Sequence, residues 1–381
     1  MKICLIGHEY PPPIEGGQGR HMYELSKKLL EKGHEVEICA FGNATLAYKK
    51  GNVRINRFST VDVPLIRVLD LSRKISRYLE NGDFDIYHVH TAPLAFFLDK
   101  KPLVVTAHTT IFGEGKSIEV SSGGSLFDVV SSFYYKEMRF LDKRAYQKAK
   151  VVIAVNDNIK DELERVYNTS KKKIATIYNG VNTKIFYAVK NKGRTKEEIG
   201  LDPQDFVVLY VGRLEARKNV GLLIDAMRLL RKESMVTLIV GKGSKEDSLK
   251  RMSNHLGLGT SLKFVRYVKD SDLLKIYNAA DIFVLPSVYE GMPLSMLEAM
   301  ACGVPTIATN FPGVENIIRN GENGIILEKT SAECLAEKIG YLYRESKVRG
   351  NMSMKAIQLI NEKFSLEVAV KKTIDVYDQI K

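Results

Sequence analysis

Short apolar runs typical of buried β-strands alternate with helical patterns along both halves of this 381-residue chain. In the first half the runs cover residues 2–7, 35–41, 86–90, 103–107 and 151–155. The second half repeats the series at residues 207–211, 236–240, 262–267, 282–286 and 306–308. Continuous apolar strands separated by helices predict parallel sheets that are covered on both faces. The fold class is therefore α/β, with two doubly wound halves.

The length of the chain agrees with two domains of about 150–200 residues each. We place the first domain at residues 1–185 and the second at residues 186–364. The stretch 179–182 and the lysine-rich stretch 190–196 separate the two series of strands, and we interpret this region as a hinge. Ligands of doubly wound sheets bind outside the carboxyl ends of the strands, so two such sheets facing each other would form a cleft between them.

Composition excludes several classes of protein. The four cysteines are scattered without a CxxC pair, which indicates neither a disulfide framework nor a zinc site and favours a reducing, cytoplasmic compartment. The first apolar run is too short for a signal peptide, and no stretch approaches the length of a membrane span. The net charge of +12 is divided evenly, with 27 basic and 21 acidic residues through Asn179 and 30 and 24 after it. Without a concentrated basic arm, we expect no nucleic-acid partner.

The segment from Pro286 to Glu298 carries the strongest chemical signal. Glu290 and Glu298 lie eight residues apart around a Gly-Met-Pro turn, after one strand-like run and at the start of a helical pattern. Pro293 is expected in the first turn of that helix, where its missing N–H does no harm. The positive end of the helix would lie beside Glu290, which favours phosphate, and Glu298 could reach neighbouring hydroxyls. A sugar attached to a nucleotide diphosphate offers both groups.

Arg213 and Lys218 follow another buried strand and therefore start at the predicted ligand edge. A planar guanidinium and a point-like ammonium suit two phosphates. Breaking a sugar–phosphate bond leaves negative charge on the diphosphate, and fixed cations can stabilise that charge without a metal. Gly16 and Gly17 open the first helix, where glycine permits close approach of a phosphate, although ordinary turns look the same.

These segments resemble the retaining glycosyltransferases of family four, which have the GT-B fold. The resemblance extends over nearly the whole chain through five marks: Glu9-Tyr-Pro-Pro-Pro-Ile-Glu-Gly-Gly-Gln-Gly-Arg20, Thr106-Ala-His108, Gly212-Arg-Leu-Glu-Ala-Arg-Lys-Asn219, the Glu-x7-Glu pair, and Pro312-Gly-Val-Glu315. It implies two Rossmann-like domains facing a cleft, with the donor bound by the C-terminal domain, the acceptor by the N-terminal domain, and a last helix (365–381) that crosses back to the N-terminal domain.

The resemblance also implies roles for residues. Glu290 would hold hydroxyls of the donor sugar, Glu298 the ribose, and Arg213 and Lys218 the diphosphate. His108, at a predicted strand end, would contact the sugar, and we count it with Glu290, Arg213 and Lys218 as catalytic. The predicted donor-binding set is Gly16, Gly17, Arg213, Lys218, Tyr267, Val268, Glu290, Gly291, Met292, Pro293, Leu294 and Glu298. His88 and His90 alternate on one strand but have no carboxylate nearby in sequence, so we expect no metal and no cofactor.

The resulting prediction is a metal-independent transfer of a hexosyl group from a UDP-, GDP- or ADP-sugar to a hydroxyl of a glycan or lipid acceptor. One alternative is a GT-B epimerase or hydrolase acting on the nucleotide sugar, and another is a protein that binds nucleotide sugars without catalysis. A glycosidase pair is disfavoured, because Glu290 and Glu298 are expected farther apart than two hydrolytic carboxylates.

The acceptor side is predicted from residues without an evident core role. Basic amphipathic segments lie at 66–79 and 134–150, around Arg73 and Lys143, and a Gly/Ser-rich segment at 113–124 is interpreted as a mobile flap. The basic segments are either solvated helix faces or a surface for an anionic membrane, which would place the enzyme peripherally on the cytoplasmic face of the membrane.

Overall fold

The computed structural model describes residues 1–12, 16–61, 63–119, 126–230, 234–259, 261–266 and 268–381, with the backbone alone for 116–119, 126–133, 270 and 271. The chain forms two compact units. Unit 1 contains Met1–Gly180 and Leu366–Lys381, and unit 2 contains Val181–Ser365. The break after Gly180 lies within the stretch 179–182 that we interpreted as part of a hinge.

Unit 1 is built on an eight-stranded sheet in the order β3-β4-β2-β1-β5-β6-β7-β8. The strands are β1 (Lys2–Gly7), β2 (Glu35–Phe41), β3 (Leu46–Lys50), β4 (Val53–Phe58), β5 (Ile86–Val89), β6 (Leu103–Ala107), β7 (Val151–Ala154) and β8 (Ile174–Thr176). The strand pairs are parallel except for the pair of β3 with β4. β1, β5 and β6 are buried almost throughout, as their apolar sequences predict.

The helices of unit 1 cover this sheet. They are α1 (Gly17–Glu31), α2 (Pro64–Tyr78), α3 (Ile111–Glu119), α4 (Leu126–Lys148), α5 (Asp157–Arg165) and, at the end of the chain, α13 (Leu366–Ile380). The last helix returns to unit 1, where Leu366, Val370 and Tyr377 join the core formed by β1, β2 and α1. Tyr377 Oη lies 2.5 Å from His88 Nδ1, and Lys28 Nζ of α1 lies 3.3 Å from Glu367 Oε1.

Unit 2 contains a six-stranded parallel sheet in the order β11-β10-β9-β12-β13-β14. Its strands are β9 (Phe206–Val211), β10 (Met235–Val240), β11 (Leu262–Val265), β12 (Ile282–Leu285), β13 (Thr306–Ala308) and β14 (Gly324–Ile326). Its helices are α6 (Lys192–Glu198), α7 (Val220–Leu230), α8 (Glu246–His255), α9 (Asp270–Ala279), α10 (Leu294–Ala301), α11 (Ala332–Arg344) and α12 (Ser346–Lys363). The prediction of an α/β chain with two doubly wound, mainly parallel sheets is confirmed.

Two segments contain more helix than we expected. Most of the lysine-rich stretch 190–196, interpreted as part of the hinge, lies in α6, and Lys196 is buried with its Nζ 2.9 Å from Asp281 Oδ2. The ion pair with Asp281 compensates the buried charge of Lys196, so a lysine within such a run can be buried. The segment 113–124, interpreted as a flap, belongs to α3 through Glu119, while residues 120–125 lie outside the described part of the chain.

No helix among the described residues combines the length and the apolar character needed to cross a bilayer.

Candidate functional site

The candidate donor site lies where the strand order of the unit 2 sheet reverses direction. From β9 the chain proceeds outward through β10 and β11, and it then crosses to β12 on the other side of β9. The loops that leave the carboxyl ends of β9 and β12 are therefore neighbours, and this is the position at which doubly wound sheets bind ligands. Arg213 and Lys218 lie on the first loop, and Glu290 lies on the second.

Direct contacts hold these two loops together. The backbone N–H of Val288 donates to the carbonyl oxygen of Arg217 over 2.8 Å. The Arg217 guanidinium donates in turn to the carbonyl oxygen of Tyr289 over 3.2 Å, and its Nη1 lies 3.8 Å from Glu290 Oε2. Arg217 thereby fixes the position of the loop that carries Glu290.

Lys218 and Glu290 form a buried ion pair at the junction of these loops. Lys218 Nζ lies 2.5 Å from Glu290 Oε1, and the side chains are 13% and 6% exposed. Burial alone would raise the pKa of Glu290, but the charges of Lys218 and Arg217 outweigh it and hold that pKa below its ordinary value. Burial lowers the pKa of Lys218 against the opposing effect of Glu290. The predicted phosphate-binding cation and the predicted sugar-binding carboxylate are thus in contact.

Arg213 lies on the same loop but has a different environment. Its side chain is 43% exposed, and its Nη1 lies 2.9 Å from Glu215 Oε1. The backbone carbonyl of Arg213 accepts a hydrogen bond of 2.8 Å from the hydroxyl of the buried Tyr210. The structure therefore fixes the backbone at Arg213 and leaves its guanidinium accessible.

Glu298 lies in α10, which begins at Leu294. Pro293 thus precedes the helix rather than occupying its first turn, which corrects the expected position by one residue. Glu298 is buried at 5% exposure, and its Oε2 accepts a hydrogen bond of 2.7 Å from the hydroxyl of Tyr277 on α9. Gly291, Met292 and Pro293 are buried between Glu290 and the helix. The segment before α10 and the Glu298 carboxylate are therefore both buried, and Tyr277 fixes the carboxylate.

The loop after β10 supports the Arg213 loop. The N–H of Leu214 donates to the carbonyl oxygen of Lys242 over 2.9 Å, and the N–H of Lys245 donates to that of Leu214 over 2.8 Å. A Cβ at Gly243 would collide with the Leu214 backbone, so only glycine permits this approach. Val268, which follows β11, is half-buried. Tyr267 lies outside the described residues, and its predicted role stays a prediction.

The remaining predicted residues lie in unit 1, where the strand order reverses between β1 and β5. Gly16 is the N-cap of α1, and Gly17 is its first residue. A Cβ at Gly16 would lie 2.6 Å from a carboxylate oxygen of Glu9, so glycine allows the Glu9 side chain to lie against the start of the helix. Gln18 Nε2 donates to the carbonyl oxygen of His90 and, over 2.8 Å, to the Thr91 hydroxyl, which joins α1 to the end of β5.

His108 lies directly after β6 and is part of a cluster of histidines. Its Nε2 lies 3.1 Å from His90 Nδ1, and its ring meets that of His21 on α1 edge to face, with the ring centroids 4.9 Å apart. Burial, followed by the neighbouring histidines, holds the pKa of His108 well below its ordinary value. Its imidazole is therefore neutral at pH 7, which suits a hydrogen bond to a hydroxyl better than the stabilisation of negative charge.

Sequence reasoning missed Arg217, Tyr277 and His21. Arg217 stands beside Lys218 in the same motif, and a second basic residue there was an available signal. Tyr277 and His21 lie within helical patterns, where spacing alone does not separate a core residue from one that contacts a site. The assignment of the predicted donor-binding residues to a bound ligand stays a prediction.

Comparison with known families agrees with this geometry. Residues 15–185 match the family described as Glycosyltransferase Family 4, and residues 191–359 match the family described as Glycosyl transferases group 1. Each family model covers a little less than half of the chain, and the two follow each other in the order of the two series of strands.

Curated relatives match along nearly their whole length. An uncharacterized glycosyltransferase of Methanocaldococcus jannaschii is 28% identical over 99% of this chain and 98% of its own. The N-acetyl-alpha-D-glucosaminyl L-malate synthase of Bacillus anthracis is 24% identical over 96% of this chain and 94% of its own.

Solved structures share the fold. Sucrose-phosphate synthase from Thermosynechococcus elongatus superimposes with a TM-score of 0.87 at 21% identity, covering 100% of this chain and 98% of that one. Anabaena HepE in complex with UDP-glucose gives a TM-score of 0.77 at 19% identity and covers all of both chains. The two family models, the relatives and the shared fold show that the chain belongs to the group 1 and family 4 glycosyltransferases, which have the GT-B fold.

Proposed function

We propose that this glycosyltransferase moves a hexosyl group from a nucleotide-diphosphate sugar to an acceptor hydroxyl, with retention at the anomeric carbon and without a metal. The buried Lys218–Glu290 pair at the strand-order reversal of unit 2 is the observation that carries the proposal. A lysine and a carboxylate held together at this edge supply the two functions that a sugar bonded to phosphate requires.

The proposed chemistry follows from the charge that develops on the leaving group. As the bond from the anomeric carbon to the phosphate oxygen breaks, negative charge grows on the nucleotide diphosphate. Lys218 and the accessible Arg213 guanidinium would stabilise that charge, together with the backbone N–H groups before α10. Glu290 would bind hydroxyls of the departing sugar, and Glu298 would bind the ribose. These cations take the place that a divalent ion occupies in metal-dependent transfer.

Two alternative activities use the same nucleotide sugar. An epimerase or hydrolase would convert it without an acceptor, and a binding protein would leave it unchanged. The sequence contains all four residues proposed for the transfer, and their presence favours catalysis over binding alone: Arg213, Lys218, Glu290 and Glu298.

The experiment begins with a thermal-shift screen of UDP, GDP, ADP and their hexose conjugates. A ligand at about a hundred times its Kd raises the free energy of unfolding by about 2.7 kcal/mol. The donor that binds is then incubated with hydroxyl acceptors in the presence of EDTA, and the products are separated into glycoside, free sugar and epimer. A glycoside with the anomeric configuration of the donor supports the proposal. Free sugar or epimer alone supports the alternatives, and a requirement for added Mg²⁺ or Mn²⁺ contradicts metal independence.

We further propose a lipid-linked acceptor at a cytoplasmic membrane surface, which unit 1 would contact through the region around α2. Val61, Val63 and Ile66 are each about half exposed, at 51%, 48% and 53%. On the same helix, Arg73 and Arg77 are exposed at helical spacing from Ile66. Exposed apolar side chains flanked by arginines suit the boundary between acyl chains and anionic headgroups, where each basic residue contributes about 1 kcal/mol.

Flotation with anionic and neutral liposomes at low and high salt tests this second proposal. Binding to anionic vesicles at low salt, weakened by Ile66→Ser and by high salt, is the expected result. Met354→Ser is the matched control, because Met354 is 65% exposed on α12 of unit 2. If the protein does not bind anionic vesicles at low salt, the result contradicts the proposal and favours a water-soluble acceptor.

A further inference from the structure

Three histidines of unit 1 converge from three elements of the fold. His21 lies on α1, His90 directly follows β5, and His108 directly follows β6. One ligand nitrogen from each lies within 4.8 Å of the others. The three residues are 18 to 87 positions apart in the chain, so the sheet topology alone brings them together.

One distance within this cluster is close to that of a coordination shell. His90 Nδ1 and His108 Nε2 lie 3.1 Å apart. Two nitrogens bound to one tetrahedral Zn²⁺ at about 2.0–2.1 Å are separated by about 3.3 Å. The ring centroids of His21 lie 5.5 Å from those of His90 and 4.9 Å from those of His108. An ion bound by all three residues would draw the His21 side chain closer to the other two rings.

One nitrogen of the cluster lacks another role. His21 Nδ1 is buried without a hydrogen-bond partner among the residues that the structure describes. Buried polar atoms usually have partners, so this imidazole nitrogen requires an explanation. His90 Nε2 is also unpartnered, but His108 faces the other nitrogen of that ring, Nδ1.

A fourth histidine, His88, packs against the cluster but is not one of the proposed ligands. The ring of His88 lies 4.1 Å from that of His90. Its Nδ1 lies 2.5 Å from the Tyr377 hydroxyl and its Nε2 lies 2.7 Å from the Thr106 hydroxyl, so both nitrogens are occupied. These bonds hold His88 in place behind His90.

The cluster is not sealed from its surroundings. His21 and His108 retain partial exposure, which leaves a route for an ion to enter.

We propose that His21, His90 and His108 form a binding site for one divalent transition-metal ion, for which Zn²⁺ has the fitting ligand preference. Three histidines bind Zn²⁺ with a fourth position left to water or another small ligand. All three ligands belong to unit 1, and the ion supplies no step of the proposed transfer. Because it would engage His108, an ion bound there competes with the contact to sugar that we predict for that residue, and this one consequence depends on the proposed function.

The test measures binding to the full-length protein without any nucleotide sugar, so its outcome is independent of the transfer activity. Protein stripped with a chelator is titrated calorimetrically with Zn²⁺, and separately with Co²⁺ while its visible absorption is recorded. We expect one equivalent of either ion and the intense absorption of tetrahedral Co²⁺. His21→Gln should raise the Kd for Zn²⁺ by more than about 10-fold, since even the loss of a residue that only supports a ligand lowers metal affinity by about 10–100-fold. His255→Gln, an exposed histidine of α8, is the matched control and should bind normally.

A second measurement covers the case in which His21→Gln does not fold. In the unaltered protein, imidazole ¹⁵N signals are followed by NMR during the Zn²⁺ titration, and three of the seven histidines should shift together at one equivalent. No bound equivalent, unchanged affinity in His21→Gln, or shifts confined to other histidines would overturn the proposal and leave a cluster of imidazoles bonded only to each other.

Discussion

The ammonium of Lys218 lies 2.5 Å from the carboxylate of Glu290, and the two belong to loops that leave adjacent parallel strands. Residues 72 positions apart in the chain are thus paired at the carboxyl edge of the sheet. The pair gives each side chain a defined position in a buried setting. The pair also links phosphate binding by Lys218 to sugar binding by Glu290. A phosphate that attracts Lys218 weakens the ion pair that this lysine makes with Glu290.

Removing one member of this pair should cost more than removing both. Lys218→Met removes the nearest cation from the buried Glu290 and leaves the Arg217 guanidinium at 3.8 Å, and we expect a loss of about 3 kcal/mol in the free energy of unfolding. Adding Glu290→Gln removes the uncompensated charge and should restore part of that loss. Urea denaturation of the two single variants and the double variant measures the coupling. Strictly additive effects of the two substitutions would contradict the pairing.

The accessible Arg213 should act on turnover rather than on stability. Its side chain is 43% exposed, so Arg213→Ala is expected to change the free energy of unfolding by no more than about 0.5 kcal/mol. If it stabilises the leaving diphosphate, the same variant should lower kcat by about 10²-fold or more, as should Lys218→Ala. Steady-state kinetics with the identified donor checks both. Full turnover in either variant would refute the proposed role of that residue.

Glu298 and Glu290 should differ in the kinetic constant that they control. A ribose contact is similar in the ground state and the transition state, so Glu298→Ala should chiefly raise the KM for the donor. Tyr277→Phe, which removes the 2.7 Å hydrogen bond to Glu298, should raise that KM by a smaller factor with little change in kcat. Glu290→Ala should lower kcat more, because the sugar hydroxyls move with the reacting carbon. Equal losses dominated by KM in both glutamate variants would contradict this division.

Most of the strands that the sequence predicted are largely buried. β1, β6, β7 and β9 are mainly apolar runs, and their bounds agree with the structure to within a residue. β3 was missed because its residues, Leu46-Ala-Tyr-Lys-Lys50, are largely exposed at the antiparallel edge of the sheet, so no apolar pattern is required there. β8 and β14, which have three residues each, were missed as well.

The candidate site was predictable where one motif carries several of its residues. Glu290 and Glu298 stand in one segment, and Arg213 and Lys218 in another. The position of Lys218 against Glu290, however, depends on the adjacency of β9 and β12, which are separated in the chain by two other strands of the same sheet. The histidine cluster likewise depends on the register of β5 with β6, which places His90 and His108 at one edge. Tertiary pairing of this kind is not encoded in local spacing.

The last helix should contribute to the stability of unit 1 through one buried hydrogen bond. Tyr377 is fully buried, and its hydroxyl bonds to His88 Nδ1 inside the core. Tyr377→Phe keeps the ring and leaves a buried imidazole nitrogen without this partner, at an expected cost of about 1–3 kcal/mol in the free energy of unfolding. Tyr341→Phe is the control, since Tyr341 is 39% exposed on α11. Urea denaturation that gives equal midpoints for the two variants would show that the bond contributes nothing.

Asp142 of α4 is a carboxyl group enclosed at the start of α3. It is 2% exposed, and its Oδ2 accepts hydrogen bonds from the N–H of Ile111 over 3.2 Å and from the hydroxyl of Tyr167 over 3.4 Å. Burial, opposed by the bond from Ile111 and assisted by the charge of Glu114, raises the pKa of Asp142 from 3.8 to about 8. The folded protein therefore holds this group protonated at neutral pH.

This raised pKa predicts a pH-dependent difference between the protein and Asp142→Asn. The pKa of Asp142 is 3.8 in the unfolded chain and about 8 in the folded protein. The protonated carboxyl therefore contributes its full stabilisation below pH 3.8, and this contribution to the free energy of unfolding declines as the pH rises to about 8. Asparagine imitates the neutral carboxyl at every pH. The variant should therefore gain stability relative to the unaltered protein across this window, by at most about 1.4 kcal/mol per pH unit, and the difference should level off above it. Urea denaturation at several pH values measures the difference, with Asp375→Asn, exposed on α13, as the control that should show no such trend. If the free energies of unfolding of Asp142→Asn and the unaltered protein differ by the same amount at every pH, Asp142 is ionised in the folded state. The hydrogen bonds from Ile111 and Tyr167 would then stabilise its charge.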